Sequence, residues 1–131
     1  MAASFSVVAD PARDLIRITL GGMFDDSSIA GFLAARRAAL AQLRCRPLQQ
    51  VTLVDVRAYA IQTQGTVGRW SEVLADPAHQ SRRLAFVTDS ALVRMQVQRA
   101  SGSRNDRARV FTDPVEAEEW LLAPDSTDQA A

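Results

Sequence analysis

The chain contains no lysine, one cysteine and one histidine. Without lysine there is no Schiff-base nucleophile, no P-loop lysine and no lysine general base. Cys45 and His79 alone cannot supply the ligands of a Cys/His zinc site, and no disulfide can close within the chain. Met1 to Asp10 lacks a basic segment followed by an apolar run, so no signal peptide is expected. No stretch approaches the ~20 apolar residues of a membrane span. A reducing, cytoplasmic setting is the expectation, and the lone cysteine agrees with it. Net charge is missing too, because 15 basic and 15 acidic residues cancel. That counts against a general nucleic-acid binder, whose phosphate contacts call for a basic excess.

What is present suits one globular domain. The chain has 131 residues, of which 47% are apolar and 23% charged. Residues 1–123 are expected to form a single domain, and 124–131 a disordered polar tail. The neutral total is uneven. Residues 113–131 hold six acids and no arginine, so the rest of the chain is basic. That leaves arginine charge available to an acidic partner or an anionic membrane surface.

Short apolar runs alternate with helical patterns. Phe5–Val8 and the alternating Leu15–Leu20 read as two strands joined by a tight turn at Pro11–Asp14, hence antiparallel. Asp26 and Ser27 are the expected caps of a helix burying Ile29, Phe32, Leu33, Leu40 and Leu43, with Arg36 and Arg37 elsewhere on the cylinder. Val51–Val54, ending at Asp55, is a continuous apolar run of the kind covered on both faces in a parallel sheet. Leu84–Thr88 and Arg109–Phe111 are similar. Thr66–Ala75 carries Val67, Trp70, Val73 and Leu74 on one helical face. Ser90 opens a helix with Leu92, Met95 and Arg99 on one stripe and Val93 and Val97 beside it. Asp113–Pro114 caps a last helix burying Val115, Trp120 and Leu121. The order β-β-α-β-α-β-α-β-α predicts an α/β fold with one mixed five-stranded sheet. Four strands are parallel, the first is an antiparallel edge, and about four helices cover them.

In such sheets the binding crevice lies beyond the carboxyl ends of the parallel strands. Asp25, Asp55, Asp89 and Asp113 follow those ends and could converge on Mg²⁺, but Asp89 and Asp113 precede helices as caps and Asp25 adjoins a cap pair. No metal or cofactor is expected. Asp55 starts no helix, so it anchors the next loop or lines a pocket. A receiver domain needs a lysine near its aspartate, and a haloacid-dehalogenase-type site needs an aspartate where Arg57 stands. His79 reads as an exposed loop residue and belongs to no Ser-His-Asp set, since no Gly-x-Ser-x-Gly elbow is present. At Cys45 the flanking arginines would lower the thiol pKa and the helix end would raise it. Arg82 and Arg83 read as surface charges. Ser101–Arg107 is either a solvated connection or an anion loop.

Asp55–Gly68 carries the most information. A strand ends in Asp, a loop of about ten residues follows, and a helix start closes it. The N–H groups of that start could receive an anion, with Thr63 and Thr66 as hydroxyls. Tyr59 and Trp70 could form an aromatic wall, or cover the sheet together with Ile61.

This stretch resembles the STAS (SpoIIAA-like) family of bacterial anti-sigma-factor antagonists and their relatives. The family's third strand ends in Asp-Leu-x-x-Val-x-x-Ile-Asp-Ser-Ser-Gly-Leu-Gly. Asp55 matches the Asp, Ile61 falls near the apolar position, and Gly65-Thr66-Val67-Gly68 matches Gly-Leu-Gly after a one-residue slip. Without the slip, Gln62, Thr63 and Gln64 stand in place of Asp-Ser-Ser, and Gln64 takes the position of the phosphorylated Ser. Phe111-x-Asp113-x-x-x-Ala117-x-x-Trp120-Leu121 resembles the ending of a subgroup of small bacterial STAS-like proteins that shares its fold with lipid-binding Sec14 (CRAL-TRIO) domains. The resemblance implies a non-catalytic regulatory or protein-interaction module without the usual phosphoserine switch. The alternative it implies is a binding protein for an apolar or lipid-like ligand. The candidate binding residues are Met23, Phe24, Asp55, Arg57, Tyr59, Thr63, Gln64, Thr66 and Trp70. A homodimer is the expected assembly if a second copy covers the edge strand.

Overall fold

Asp14 adopts a left-handed backbone (φ 49°), which turns the chain sharply between the first two strands. The same side chain accepts the amides of Arg44 (2.9 Å) and Cys45 (3.1 Å), so the turn is tied to the segment beyond the first helix. The computed structural model describes residues 2–102 and 107–124. The tail from 125 and most of the Ser101–Arg107 loop lie outside the described residues.

The strands are β1 (Ser4–Asp10), β2 (Leu15–Gly22), β3 (Val51–Tyr59), β4 (Arg83–Val87) and β5 (Ala108–Phe111). The helices are α1 (Asp26–Leu40), α2 (Gln64–Ala75), α3 (Ala91–Ser101) and α4 (Pro114–Leu122), with a 3₁₀ turn at Pro77–His79. The sheet order is β1-β2-β3-β4-β5, with β1 antiparallel to β2 and every other pair parallel. The α/β fold class, the mixed five-stranded sheet and the antiparallel edge strand therefore stand as the sequence predicts.

Period-two alternation divides the sheet into two unlike faces. Ile16, Ile18, Leu20, Val54, Val56, Leu84 and Phe86 point to the side covered by α1, α2 and α3, where Ile29, Phe32, Trp70, Val73, Val93 and Val97 meet them. Leu15, Val51, Leu53, Ala85 and Val87 point to the other side and pack against Ala117 and Leu121 of α4. Each helix begins on a side-chain cap. Asp25 forms a capping box with Ser28, while Thr63, Ser90 and Asp113 accept amides of the first turns of α2, α3 and α4.

Several local expectations change. Asp25 itself caps α1, not Asp26 or Ser27, and Ser90 rather than Asp89 caps α3. Arg36 is not on the solvent side of α1. It follows Phe32 by one turn, is 8% exposed, and donates to the His79 carbonyl at 3.2 Å. Val115 is exposed, because Ala117 and Leu121 form the buried stripe of α4. Arg83 is no free surface charge. It stacks 5.3 Å from the Trp120 ring, which Arg109 also approaches at 5.0 Å, and it donates to the Trp120 and Pro124 carbonyls at the end of α4.

Candidate functional site

The crossover from β3 to α2 is shorter than the sequence suggests, because β3 runs on to Tyr59 and only 60–63 lie between the two elements. Asp55 is therefore not at a strand end but within β3, opposite Thr19. The register slips between Thr19 and Gly21 of β2, where two residues of β3, Val56 and Arg57, lie across from Leu20 alone. Such a bulge bends the strand. Asp55 accepts both Nε (3.0 Å) and an Nη (2.7 Å) of Arg57, together with the Arg57 amide (3.0 Å). The Arg57 hydrogen bonds hold the Asp55 carboxyl below the usual carboxylate range. These two candidates form a closed pair, with Asp55 committed to its neighbour rather than open to a ligand.

Gln62 organises the loop. It is 5% exposed. Its Oε1 accepts the Phe24 amide at 2.8 Å, and its Nε2 donates to the Gly22 carbonyl at 3.0 Å and to the Ala60 carbonyl. Its own amide and carbonyl exchange bonds with the Gln96 side chain at 2.8 and 2.9 Å. One glutamine thus joins the end of β2, the start of α2 and the middle of α3. Gly22 serves the same junction. Its φ is +72°, and a Cβ there would fall 2.1 Å from the Ala2 carbonyl oxygen, so no side chain fits.

Thr63 and Thr66 are bound up in the helix start. The Thr63 hydroxyl oxygen accepts the Thr66 amide at 3.2 Å, and the Thr66 hydroxyl donates to the Phe24 carbonyl at 3.1 Å. Gln64 is the first residue of α2 and faces solvent.

Phe24, Tyr59 and Trp70 come together, as the aromatic-wall reading expects. Phe24 lies 6.0 Å from Tyr59 and 5.5 Å from Trp70, and Phe32 adds a further edge contact to Trp70 at 5.5 Å. Burial pushes the Tyr59 phenol well above its ordinary range. The Tyr59 hydroxyl interacts with the Trp70 side chain, yet among the described residues no acceptor meets the indole N–H at hydrogen-bond geometry. Beneath these rings a cavity of about 90 Å³ runs between the sheet and the helices. Tyr59, Val67 and Trp70 line it, as do Arg36, His79 and Ser81. His79 is thus half-buried, with Nδ1 2.9 Å from the Val73 carbonyl, rather than an exposed loop residue.

Met23 and Ile61 turn outward instead, at 40% and 49% exposure. On α3 the buried stripe is Val93 and Val97, and this leaves Leu92 and Met95 each 56% exposed. The Gln62–Gln96 bonds set Ile61 beside the turn of α3 that carries them. Sequence reasoning named Met23 as a candidate but missed the exposure of Leu92 and Met95 and the bonding role of Gln62. The one available signal was Arg99, which shares the Leu92–Met95 stripe and argues against its burial.

Elsewhere, burial and the nearby Asp14 carboxylate push the Cys45 thiol up, which disfavours the nucleophilic thiolate. Among the described residues no three His, Cys, Asp or Glu side chains gather as a metal site requires. Among them, too, no helix is long and apolar enough to cross a membrane.

No protein-family model and no curated protein matches the chain. Among solved structures it is similar to an uncharacterized protein from the DUF3478 family with a SpoIIAA-like fold from Shewanella loihica PV-4. The likeness has a TM-score of 0.69 at 13% identity and covers 92% of this chain and 96% of that one. The fold is SpoIIAA-like.

Proposed function

We propose that this protein is a non-catalytic, STAS-like interaction module that docks a protein partner on the surface around the start of α2. The observation that carries this reading is the exposure of Met23 and Ile61, whose chain neighbours are bonded through Gln62, and of Leu92 and Met95 on the part of α3 that carries Gln96. Large apolar side chains gathered on a surface mark interaction sites more often than chance does. The Gln62 hub holds that surface in a fixed shape, so little ordering entropy is lost on docking. Arg94 and Arg99 share α3 with Leu92 and Met95 and suit a partner that combines apolar and acidic side chains.

The placement of three acidic groups supports the absence of catalysis. Asp25 and Asp113 serve as caps, and Asp55 is paired with Arg57. The hydroxyls of Thr63 and Thr66 are occupied by the helix start, and Gln64 holds the position of the family's phosphorylated serine. We therefore propose that the module works without a phosphoserine switch. The lipid-like alternative ranks second, because a cavity of about 90 Å³ is well below the ~300 Å³ or more of pockets that hold drug-sized ligands.

The test is affinity capture from the native host with three proteins: wild type, the double variant Ile61→Asp/Leu92→Asp, and Val115→Asp. Val115 is also exposed, at 62%, but lies on α4 across the sheet. The reading expects a partner held by wild type and Val115→Asp and lost by the double variant. A partner lost equally from both variants, or from neither, overturns it. Sedimentation of the same proteins tells whether the partner is a second copy of this chain.

A further inference from the structure

We propose that the cavity between the sheet and α2–α3 is a binding site for a small uncharged molecule carrying one hydrogen-bond acceptor, such as a short ether, ketone or ester. Three observations converge on that chemistry. The first is the lining, which is largely apolar and includes Leu20, Val54, Val56, Phe86 and Val97. A cation would lose its hydration there with little in return, and the Arg36 guanidinium is already engaged by the His79 carbonyl.

The second is the unmatched donor. Trp70 is 8% exposed, lines the cavity, and offers an indole N–H that no acceptor meets among the described residues. A buried donor left unpaired costs about 1–3 kcal/mol, so an acceptor brought in by a ligand removes a penalty as well as making a bond. The nearest polar groups do not supply one. The Tyr59 hydroxyl is close enough to Trp70 to interact with it, but it does not meet the N–H at hydrogen-bond geometry. The Gln96 carboxamide also lines the cavity, but its oxygen and nitrogen are both engaged by Gln62.

The third is size. A cavity of 150 Å³ holds benzene, at roughly 25 Å³ per heavy atom. On that scale the present cavity, about 90 Å³, takes about four or five heavy atoms. The inference is independent of partner docking, because the cavity lies inside the three-helix layer and the docking patch outside it.

The pair tetrahydrofuran and cyclopentane tests this, because they match in size and differ by one ether oxygen. The two tryptophan indole N–H resonances report on the two faces of the sheet, Trp70 on one and Trp120 on the other. In wild-type protein, tetrahydrofuran is expected to move the Trp70 resonance downfield with saturation and to leave Trp120 in place. Cyclopentane is expected to cause no downfield shift. Trp70→Phe keeps an aromatic ring without the donor and should weaken tetrahydrofuran binding about five- to tenfold, as expected for one hydrogen bond. Should that variant fail to fold, the wild-type resonances decide alone. The proposal is overturned by a Trp70 resonance that does not respond, by equal responses of both tryptophans, or by tighter binding of butyrate than of tetrahydrofuran. The last outcome would assign the cavity to an anion held by Arg36.

Discussion

The two faces of the sheet are built to different standards. The buried core of the α4 face is small and aliphatic, with Phe111 and Trp120 only partly buried against it, and Leu15, Ala85, Val87, Ala117 and Leu121 have no solvent exposure at all. The three-helix face is larger and rests on aromatic rings meeting edge to face. It also contains the cavity and an unpaired indole N–H. Small side chains such as Ala85 and Ala117 let a helix settle onto strands with no space left over. Rings do not nest so completely. Crossed at steep angles, they hold helices apart and leave gaps that only a further molecule or a larger side chain could fill. One face thus supplies rigidity, and the other supplies room.

Adding bulk to each face gives the largest contrast. Ala117→Leu has nowhere to place its new atoms and should cost about 2–3 kcal/mol in urea unfolding. Val97→Ile extends into the cavity and should be neutral or stabilise by up to ~0.5 kcal/mol. Equal costs at the two positions would remove the distinction between the faces.

The next largest effect concerns what holds the three-helix face in place. Gln62→Ala strands the Phe24 amide and the Gly22 carbonyl in a buried junction, and should cost about 2 kcal/mol. Amide exchange should speed up at Phe24 and along the start of α2, while α4 stays protected. Exchange that rises equally in α4 would mean that the faces unfold as one unit.

The smallest effect follows from alkaline titration. The chain has one tyrosine, so its phenolate absorbance reports on the three-helix face alone. Burial raises the Tyr59 pKa in the folded protein. Below the ordinary tyrosine range, near ~10, the phenol is neutral in both states and its stability contribution is intact. Above that range the unfolded chain releases the proton while the folded one keeps it, so stability falls as pH rises. The phenolate band should therefore appear together with loss of structure. A phenolate that forms while the fold is intact would show that Tyr59 is open to solvent.

How much of this was legible in the sequence depended on how local the cause was. The cap at Asp113, with Pro114 behind it, was readable, because a cap bonds only two or three residues ahead. The sheet was readable too, since continuous apolar runs between helical patterns admit few arrangements. Arg36 was misjudged because its charge spoke for solvent, while its spacing after Ile29 and Phe32 spoke for the core; the carbonyl that resolves the conflict belongs to His79, far along the chain. The Gln62 hub was invisible for the same reason, as its partners lie on β2 and α3. On α3, two stripes had equal periodicity, and only contact with the sheet chose Val93 and Val97 over Leu92 and Met95. The candidate set joined residues that the structure separates: Asp55 and Arg57 pair on one strand, whereas Tyr59 and Trp70 belong to the cavity.

The strands lie side by side in the same order in which they occur along the chain. A growing polypeptide would therefore extend this sheet by accretion, each strand joining an open edge, and none would have to force its way between two already paired. The two faces would not mature together. Each crossover helix can cover its own side as soon as its strands are laid down, but α4 comes after β5 and closes the opposite side by packing on β3 and β4 and pairing Glu118 with Arg17 of β2. Until then Leu15, Val51 and Leu53 have no cover. The nascent protein would pass through a one-sided stage whose exposed surface is the one most tightly sealed at the end, and this is the stage at which a chaperone or a second copy of the chain would find it.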